Sequence, residues 1–259
     1  MEPVTTVIAT KVASELSAPV RESGTSFLKT VLHTPGEAIA GLLADVVNER
    51  RHANLIKIAA RATERLHKAG VSPVAVPLSI IHPALEGASL EEDPDLQTIW
   101  SNLLANAADP RQRNGVAPSF PAILKELTSR EVRFLDAIYI ASEEACSKPS
   151  RRGTRIEEIR FGWAELIRIF STSGLGRYRF DHDYVSARDA DQPELKADDR
   201  DMKFSLGVLQ RQSLIVTEYI MPAVVVDPRK QPQTYELDSA DCFSHLGVCF
   251  VQACREPAP

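Results

Sequence analysis

The chain has 259 residues, 44% of them hydrophobic and 25% charged, and its formal net charge is −5. These values indicate a globular protein with enough apolar surface for a core, and they exclude disorder over the whole length. The acidic balance argues against broad binding to nucleic-acid phosphates, because proteins of that class normally carry a basic domain or stripe. No apolar run approaches the roughly 20 residues of a membrane-spanning helix. Without a signal peptide, and with four cysteines expected to be thiols, the protein is expected to be cytoplasmic.

An amphipathic helix is predicted at the N-terminus, in residues 1–29. Apolar residues recur there at every fourth position: Val4, Ile8, Val12, Leu16 and Val20. Pro19 is expected to break or kink this helix. The polar side lacks the row of Lys and Arg residues that membrane-surface helices carry. We therefore expect this segment to contact a partner helix or a second copy of the chain.

A helical bundle is predicted in residues 30–127. A long helix, capped at Thr34, is expected to end at Gly70, since glycine commonly follows the last helical residue. Two prolines in the next seven residues predict an extended connector. A short helix follows in residues 78–90, with an interruption expected at Pro83.

The most informative helix of this bundle is predicted between Asp93 and Asp109. Asp93 has the chemistry of an N-cap, and Pro94 suits the first helical position. Apolar residues follow at helical spacing and form a wide stripe: Leu96, Ile99, Trp100, Leu103, Leu104 and Ala107. Pro110 is expected to stop the helix, because proline disfavours helical geometry in the residue before it. We therefore expect Trp100 to be buried at the centre of the bundle.

Residues 128–259 are predicted to form a winged-helix-like module, which makes the fold class mainly α. Its elements are predicted in this order: a helix from Thr128, helices at Phe161–Phe170 and Met202–Leu214, a β-hairpin wing at Ile215–Asp238 and a final helix at Phe243–Cys254. Helix, helix, helix, hairpin, helix is the order of a winged helix with one appended helix.

Two stretches of the chain resemble the abortive infection alpha (Abi-alpha) family. They are SLEEDPDLQTIWSNLLANAADP and VAPSFPAILKELTSREVRFLDAIY, and the resemblance extends over most of residues 30–255. Near the C-terminus Leu246-Gly247 follows Ser244-His245, where relatives often have Thr-Pro, a difference that affects a turn. The resemblance implies bacterial cytoplasmic defence against phage, and it implies no catalytic residues.

Three groups of residues have the composition of a metal or acid–base site: Cys242-His245-Cys249-Cys254, His82-Glu86 and Asp181-His182-Asp183. If one helix carries both Cys242 and Cys254, they lie about 18 Å apart, too far for one zinc ion. The pair His82-Glu86 is explained more simply by a helix that starts at Pro83 than by an acid–base or metal site. The acidic triplet is typical of a solvated loop. Because the chain also lacks a G-x-S-x-G motif and a P-loop, we predict no catalytic, cofactor-binding or metal-binding residue and no enzyme activity.

Basic residues offer the remaining candidates for contact with nucleic acid or a partner protein: Arg151, Arg152, Arg155, Lys203, Arg211, Arg229 and Lys230. Lys203 and Arg211 belong to the helix that would be the recognition helix of a winged-helix protein. Asp198, Asp199 and Asp201 precede that helix, and their charges are expected to repel DNA phosphates. Contact with a protein is therefore favoured over contact with DNA.

The predicted function is non-enzymatic phage defence through protein–protein contacts, with homo-oligomerisation through the N-terminal helices. Two alternatives stay open: a winged-helix DNA-binding regulator, and a toxic effector that perturbs membranes. Salt-dependent retention on DNA would favour the first alternative, and dye release from liposomes would favour the second.

Overall fold

The structure, a computed structural model, describes residues 16–32, 49–112, 115–175, 178–179, 196–197, 199–220 and 238–257. The fold is mainly helical with short antiparallel strand pairs, which confirms the predicted mainly α class. The chain divides into two compact units: unit 1 consists of Met1–Ser129 and Cys249–Pro259, and unit 2 of Arg130–Val248. Within the described residues, every helix is too short or too polar to cross a membrane.

The helices and strands follow one another along the described parts of the chain. The helices are α1 (Ala18–Leu32), α2 (Glu49–Lys68), α3 (Leu78–Leu90), α4 (Pro94–Ala108), α5 (Phe120–Lys125), α6 (Ser129–Ser147), α7 (Trp163–Thr172), α8 (Asp199–Arg211) and α9 (His245–Cys254). The strands are β1 (Tyr178–Arg179), β2 (Lys196–Ala197), β3 (Ile215–Ile220) and β4 (Asp238–Phe243).

α4 in unit 1 has the boundaries that its end residues predict. Asp93 Oδ1 accepts hydrogen bonds from the N–H groups of Asp95 at 2.8 Å and Leu96 at 3.1 Å, which confirms the N-cap. The helix ends at the residue before Asp109, as expected ahead of a proline. The Trp100 side chain is 1% exposed, so its predicted burial is also confirmed.

The buried surface of α4 differs from the predicted apolar stripe. Ile99 and Ala107 are only half-buried, whereas four polar residues lie inside: Gln97, Ser101, Asn102 and Asn106. A buried polar side chain needs a hydrogen-bond partner to offset its lost hydration. The partners of the two asparagines lie at the far end of the sequence.

Asn102 and Asn106 cap the C-terminal end of α9 within unit 1. Asn102 Nδ2 donates to the Cys254 carbonyl at 2.8 Å. Asn106 Nδ2 donates to the carbonyls of Ala253 at 2.9 Å and Arg255 at 2.7 Å. The last carbonyls of a helix have no partner inside the helix, so two asparagines four residues apart on one face of α4 supply the missing donors.

α2 ends at Gly70, as predicted. The Gly70 N–H donates to the His67 carbonyl at 3.0 Å, and the next N–H, of Val71, donates across the turn at 2.9 Å. This pair of bonds forms a Schellman cap, which requires a left-handed residue at its centre. Gly70 has φ +67°, a conformation that glycine adopts without strain.

The connector between α2 and α3 is extended, as predicted. The Val74 N–H donates to the Ala108 carbonyl at 2.9 Å. The Val76 N–H donates to the Val31 carbonyl at 3.0 Å. Two backbone hydrogen bonds therefore fix the connector to the ends of α1 and α4. Its two prolines have no N–H group and cannot donate such bonds.

Two prolines of unit 1 were predicted to interrupt helices, and the structure agrees with the prediction for Pro19 but not for Pro83. α1 begins at Ala18 with Pro19 in its first turn, where a missing N–H is tolerated, in agreement with a break near this proline. The predicted interruption or helix start at Pro83 is wrong, because α3 runs from Leu78 to Leu90 with this proline inside it. The predictions for residues 1–15 and for the Thr34 cap lie outside the described residues.

Unit 2 contains the predicted hairpin. β3 and β4 pair antiparallel, with Ile215 opposite Phe243 and Ile220 opposite Asp238. β4 continues past the predicted end of the wing at Asp238, so the final helix begins at His245 rather than at Phe243. The middle of the predicted wing, residues 221–237, lies outside the described residues.

A third chain segment lies along the edge of this hairpin. The Phe161 N–H donates to the Asp241 carbonyl at 2.9 Å, and the Asp241 N–H donates back to Phe161 at 3.0 Å. Because Phe161 takes part in this bridge, α7 begins at Trp163, two residues later than predicted. The segment before α7 therefore behaves as a one-residue strand.

α8 occupies a different range from the predicted Met202–Leu214, since it runs from Asp199 to Arg211. Ser213 has φ +58°, and the Leu214 N–H donates to the Leu209 carbonyl at 3.0 Å. This left-handed cap ends the helix before the apolar pattern ends, because the pattern continues directly into β3. The earlier start places Asp199 and Asp201 inside the helix rather than ahead of it.

Candidate functional site

An exposed face of α8 carries two cations and an aromatic ring. The inner side of the helix is buried and consists of Met202, Ser205, Leu206 and Leu209. With 3.6 residues per turn, Phe204, Gly207 and Arg211 lie on the opposite side, with Lys203 beside them. Phe204 is 66% exposed, an unusual position for a large apolar ring. We call Lys203, Phe204, Gly207 and Arg211 the α8 face.

The α8 face continues onto the first residue of α7. Lys203 Nζ lies 5.3 Å from the centroid of the Trp163 ring, and this ring is 39% exposed. A cation over an indole is worth about 0.5–1 kcal/mol at such an exposed site. The Gly162 N–H donates to Glu165 at 3.1 Å, which fixes the start of α7 and thereby the position of Trp163.

Gly207 leaves the centre of the α8 face without a side chain. A Cβ atom added there would have no neighbour within 4 Å, so the glycine is not required by packing inside unit 2. The open backbone allows a partner to approach the helix closely between Phe204 and Arg211. Aromatic and arginine side chains are also the types that contribute most to binding interfaces.

The predicted basic run after α6 divides into exposed and paired cations. Arg151 and Arg152 are exposed in the turn that follows α6. Arg155 Nε donates to Glu158 Oε1 at 3.0 Å, and Arg160 pairs with a glutamate of β3. Each of these carboxylates offsets the charge of its arginine, so a continuous basic stripe does not result.

The predicted contact residues are therefore only partly brought together. Lys203 and Arg211 share the α8 face, whereas Arg151 and Arg152 lie on another element. Arg229 and Lys230 lie outside the described residues.

The two exposed aromatic rings, Trp163 and Phe204, were not predicted from the sequence. The signal that could have found Phe204 is its spacing: it lies about half a turn from the apolar residues Met202 and Leu206, both of which α8 buries. The sequence gives no comparable signal for Trp163. Its exposure depends on the start of α7, which the β-bridge at Phe161 determines.

Polar groups in the interior of unit 2 join its elements. Asp241 Oδ1 accepts hydrogen bonds from Thr217 Oγ1 at 2.7 Å and Gln210 Nε2 at 2.9 Å, which links the hairpin to α8. Ser205 Oγ donates to Glu131 Oε1 at 2.9 Å, which links α8 to α6. The Ser205–Glu131 pair resembles a nucleophile beside a base, but both residues are 2% exposed or less and no substrate reaches them.

The thiols of unit 2 and unit 1 have the properties of core residues. Burial raises the pKa of Cys242 to about 11, and burial also raises the pKa of Cys254. A buried neutral thiol is a poor nucleophile and a poor metal ligand, since both roles need the thiolate. The assumption that Cys242 and Cys254 share one helix is wrong, because Cys242 lies in β4.

The other residues with metal-ligand chemistry lie apart. His82 is exposed on α3, and Glu86 pairs with Lys125 at 3.4 Å. Asp181-His182-Asp183 lies outside the described residues. Within the parts of the chain that the structure describes, no three His, Cys, Asp or Glu side chains are arranged to hold a metal ion.

Unit 1 has an apolar crevice of about 300 Å³ beside the connector. Gln112 is the one polar residue of its described lining, and the others are apolar: Val74, Ala75, Val76, Pro77, Ile80, Ala107 and Val116. Leu78, the first residue of α3, is 70% exposed next to this lining. Leu78 and the apolar crevice together form a small exposed apolar surface on unit 1.

These features define a mainly helical protein of two units, in which a helix followed by an antiparallel hairpin carries an exposed aromatic and basic face. The chain belongs to the abortive infection alpha family, whose family model matches residues 50–254. The match confirms the resemblance in the sequence, and it extends from α2 to the end of α9. No curated protein and no solved structure matches the chain.

Proposed function

We propose that this protein defends bacteria against phage by abortive infection, and that it acts by binding other proteins rather than by catalysis. Membership of the abortive infection alpha family, matched over residues 50–254, carries the defence part of the proposal. The distribution of side chains supports the second part. The described polar clusters serve packing inside each unit, whereas several large apolar side chains, among them Leu78 and Phe204, are exposed.

For unit 1 we propose self-association through the crevice and Leu78. An exposed leucine loses its contact with water on association, and full burial of one leucine side chain contributes about 1.5–3 kcal/mol. The N-terminal helix stripe predicted from the sequence would add to the same association. The crevice is apolar on nearly all described sides, so it favours an apolar occupant over a charged one.

For unit 2 we propose a winged-helix-like module. Its described elements follow in the order α6, the Phe161 segment, α7, the β1–β2 pair, α8, β3 and β4. Apart from the β1–β2 pair between its second and third helices, a winged helix has this order, with the short segment after its first helix added to the edge of the hairpin. The proposal rests on analogy of topology, which indicates a type of fold and not by itself a function.

A pair of leucine substitutions tests the proposed binding mode. Leu78→Asp is expected to abolish self-association, measured by light scattering after gel filtration, and to reduce phage protection in a plaque assay at least tenfold. Leu90→Asp is the matched control, because Leu90 is 54% exposed at the other end of α3. Full protection with Leu78→Asp, or an equal loss with the control, would refute the assignment to this crevice.

A point variant is a sharper test than removal of residues 1–30. Phe27 and Leu28 of α1 are each 1% exposed, so this deletion also takes core residues out of unit 1. Loss of protection by the deletion would therefore have two explanations. An exposed leucine changes the surface and leaves the core intact.

A further inference from the structure

The charges around α8 differ from those expected from the sequence. Three carboxylates at its leading end argue, in the sequence, that DNA is repelled. In the structure α8 begins at Asp199, and Asp201 lies about a quarter turn away from the α8 face. Its carboxylate is 3.4 Å from Arg130 Nη1, which offsets its charge. The described side chains that project from the outer side of the helix are therefore Lys203, Phe204 and Arg211.

The α8 face combines the two kinds of group that bind nucleic acids. Lys203 and Arg211 supply positive charge for phosphates, and Phe204 and Trp163 supply exposed rings for contact with bases or sugars. Gly207 between them lets the helix backbone come close to a ligand. A face of this composition is complementary to a polyanion with apolar edges.

The shape around the face favours a duplex over a single strand. α8 projects its outer side as a convex ridge, and β3 follows four residues after the helix ends. A convex helix fits the major groove of B-DNA, which is about 12 Å wide, whereas single strands usually lie in a groove of the protein. Tyr219 on β3 is 70% exposed, so the hairpin that follows α8 also presents an aromatic ring to solvent.

We infer that the α8 face is a contact surface for duplex DNA, an activity that goes beyond the proposed contacts between proteins. Binding is expected to be weak, because the protein as a whole is acidic and only a few phosphates are neutralised. It is also expected to weaken as salt rises, because each phosphate contact releases counterions. The dissociation constant is expected in the range of about 10⁻⁴–10⁻⁶ M that is usual for binding without sequence preference.

Fluorescence anisotropy with a labelled duplex of 20 base pairs tests the inference on the full chain. We expect saturable binding at 50 mM NaCl that weakens at least tenfold at 200 mM. Lys203→Glu and Arg211→Glu are each expected to weaken binding at 50 mM NaCl about tenfold. Arg152→Glu is the matched control, since it makes the same change of charge at an exposed site on another element, and it is expected to stay within twofold.

Phe204→Ala extends the test to a variant that changes no charge. It is expected to weaken binding threefold to tenfold with the same dependence on salt, and circular dichroism checks that every variant is folded. No binding at 50 mM NaCl, or an equal loss with Arg152→Glu, would overturn the inference. Tighter binding to a single strand of the same length would overturn the choice of a duplex. Binding of a polyglutamate peptide but not DNA, with the same order of variants, would assign the face to an acidic protein.

Discussion

The cap that α4 supplies to α9 gives a prediction for the stability of unit 1. Asn106→Ala removes the donor to two carbonyls, those of Ala253 and Arg255, at a residue that is 4% exposed. A buried acceptor that loses its donor costs about 1–3 kcal/mol. The buried Ala253 acceptor and the partly buried Arg255 acceptor together give a loss of about 3 kcal/mol in the free energy of unfolding, and the melting temperature falls by roughly 10 °C.

Tryptophan fluorescence measures the unfolding of unit 1 separately, because the two tryptophans lie in different units. Trp100 is buried in unit 1 and Trp163 is exposed in unit 2, so a Trp163→Phe background leaves Trp100 as a fluorescence probe of unit 1. Urea unfolding in this background gives the free-energy difference. Gln112→Ala is the control, because it removes an exposed amide, and it is expected to change stability by less than about 0.5 kcal/mol.

A second substitution at the same position separates the lost hydrogen bonds from the lost volume. Asn106→Asp keeps the size of the side chain but turns an acceptor towards two carbonyl oxygens, and it is expected to be less stable than Asn106→Ala at pH 7. If Asn106→Ala unfolds at the same urea concentration as the parent, or Asn106→Asp is the more stable of the two, the cap does not stabilise unit 1.

Two further predictions concern a close contact and an ion pair. Gly87→Ala is expected to cost about 2 kcal/mol in thermal or urea unfolding, because a Cβ atom there would lie 2.5 Å from Trp100 Cη2. Gly207→Ala, which lies inside a helix and meets nothing within 4 Å, is the control and should not destabilise the protein. Burial opposes ionisation of Asp109, but its hydrogen bonds from Arg111 outweigh this effect and lower its pKa. A lowered carboxyl pKa stabilises the folded state above the unfolded pKa of about 3.9, and this contribution is lost as pH falls through the folded value. Arg111→Gln should therefore cost most near pH 7, and the difference should shrink below about pH 4; a difference that is constant with pH would contradict the assignment.

Local chemistry predicted those parts of the fold in which both partners are close in sequence. Asp93 and Pro110 fix the ends of α4 through residues no more than three positions away, and Gly70 ends α2 in the same way. The cap by Asn102 and Asn106 could not be predicted, because its partners are 147 to 152 residues away and asparagine has many other roles.

The candidate site was predictable in its charges but not in its arrangement. Lys203 and Arg211 are cations in any register of the helix, so the sequence indicated them. The start of α8 at Asp199 and its end before Ser213 depend on a cap and on β3, which the apolar pattern does not contain. Because α8 begins three residues earlier than predicted, Asp201 belongs to the helix, where it lies about a quarter turn from the α8 face and pairs with Arg130. The part of the sequence argument against DNA contact that rested on the charge of Asp201 is thereby weakened.

The route of α9 has a consequence for how the protein is made. Residues 253–255 are synthesised about 150 residues after the asparagines that hold them. Until these residues leave the ribosome, unit 1 lacks its last segment, although residues 1–129 have already been translated. The side-chain amides of Asn102 and Asn106 have no carbonyl acceptors from α9 during this time. Contacts between such distant residues form slowly, so the bundle is completed only after unit 2 has emerged. A nascent or prematurely terminated chain therefore lacks a finished unit 1, which would delay any activity of that unit until nearly the whole protein exists.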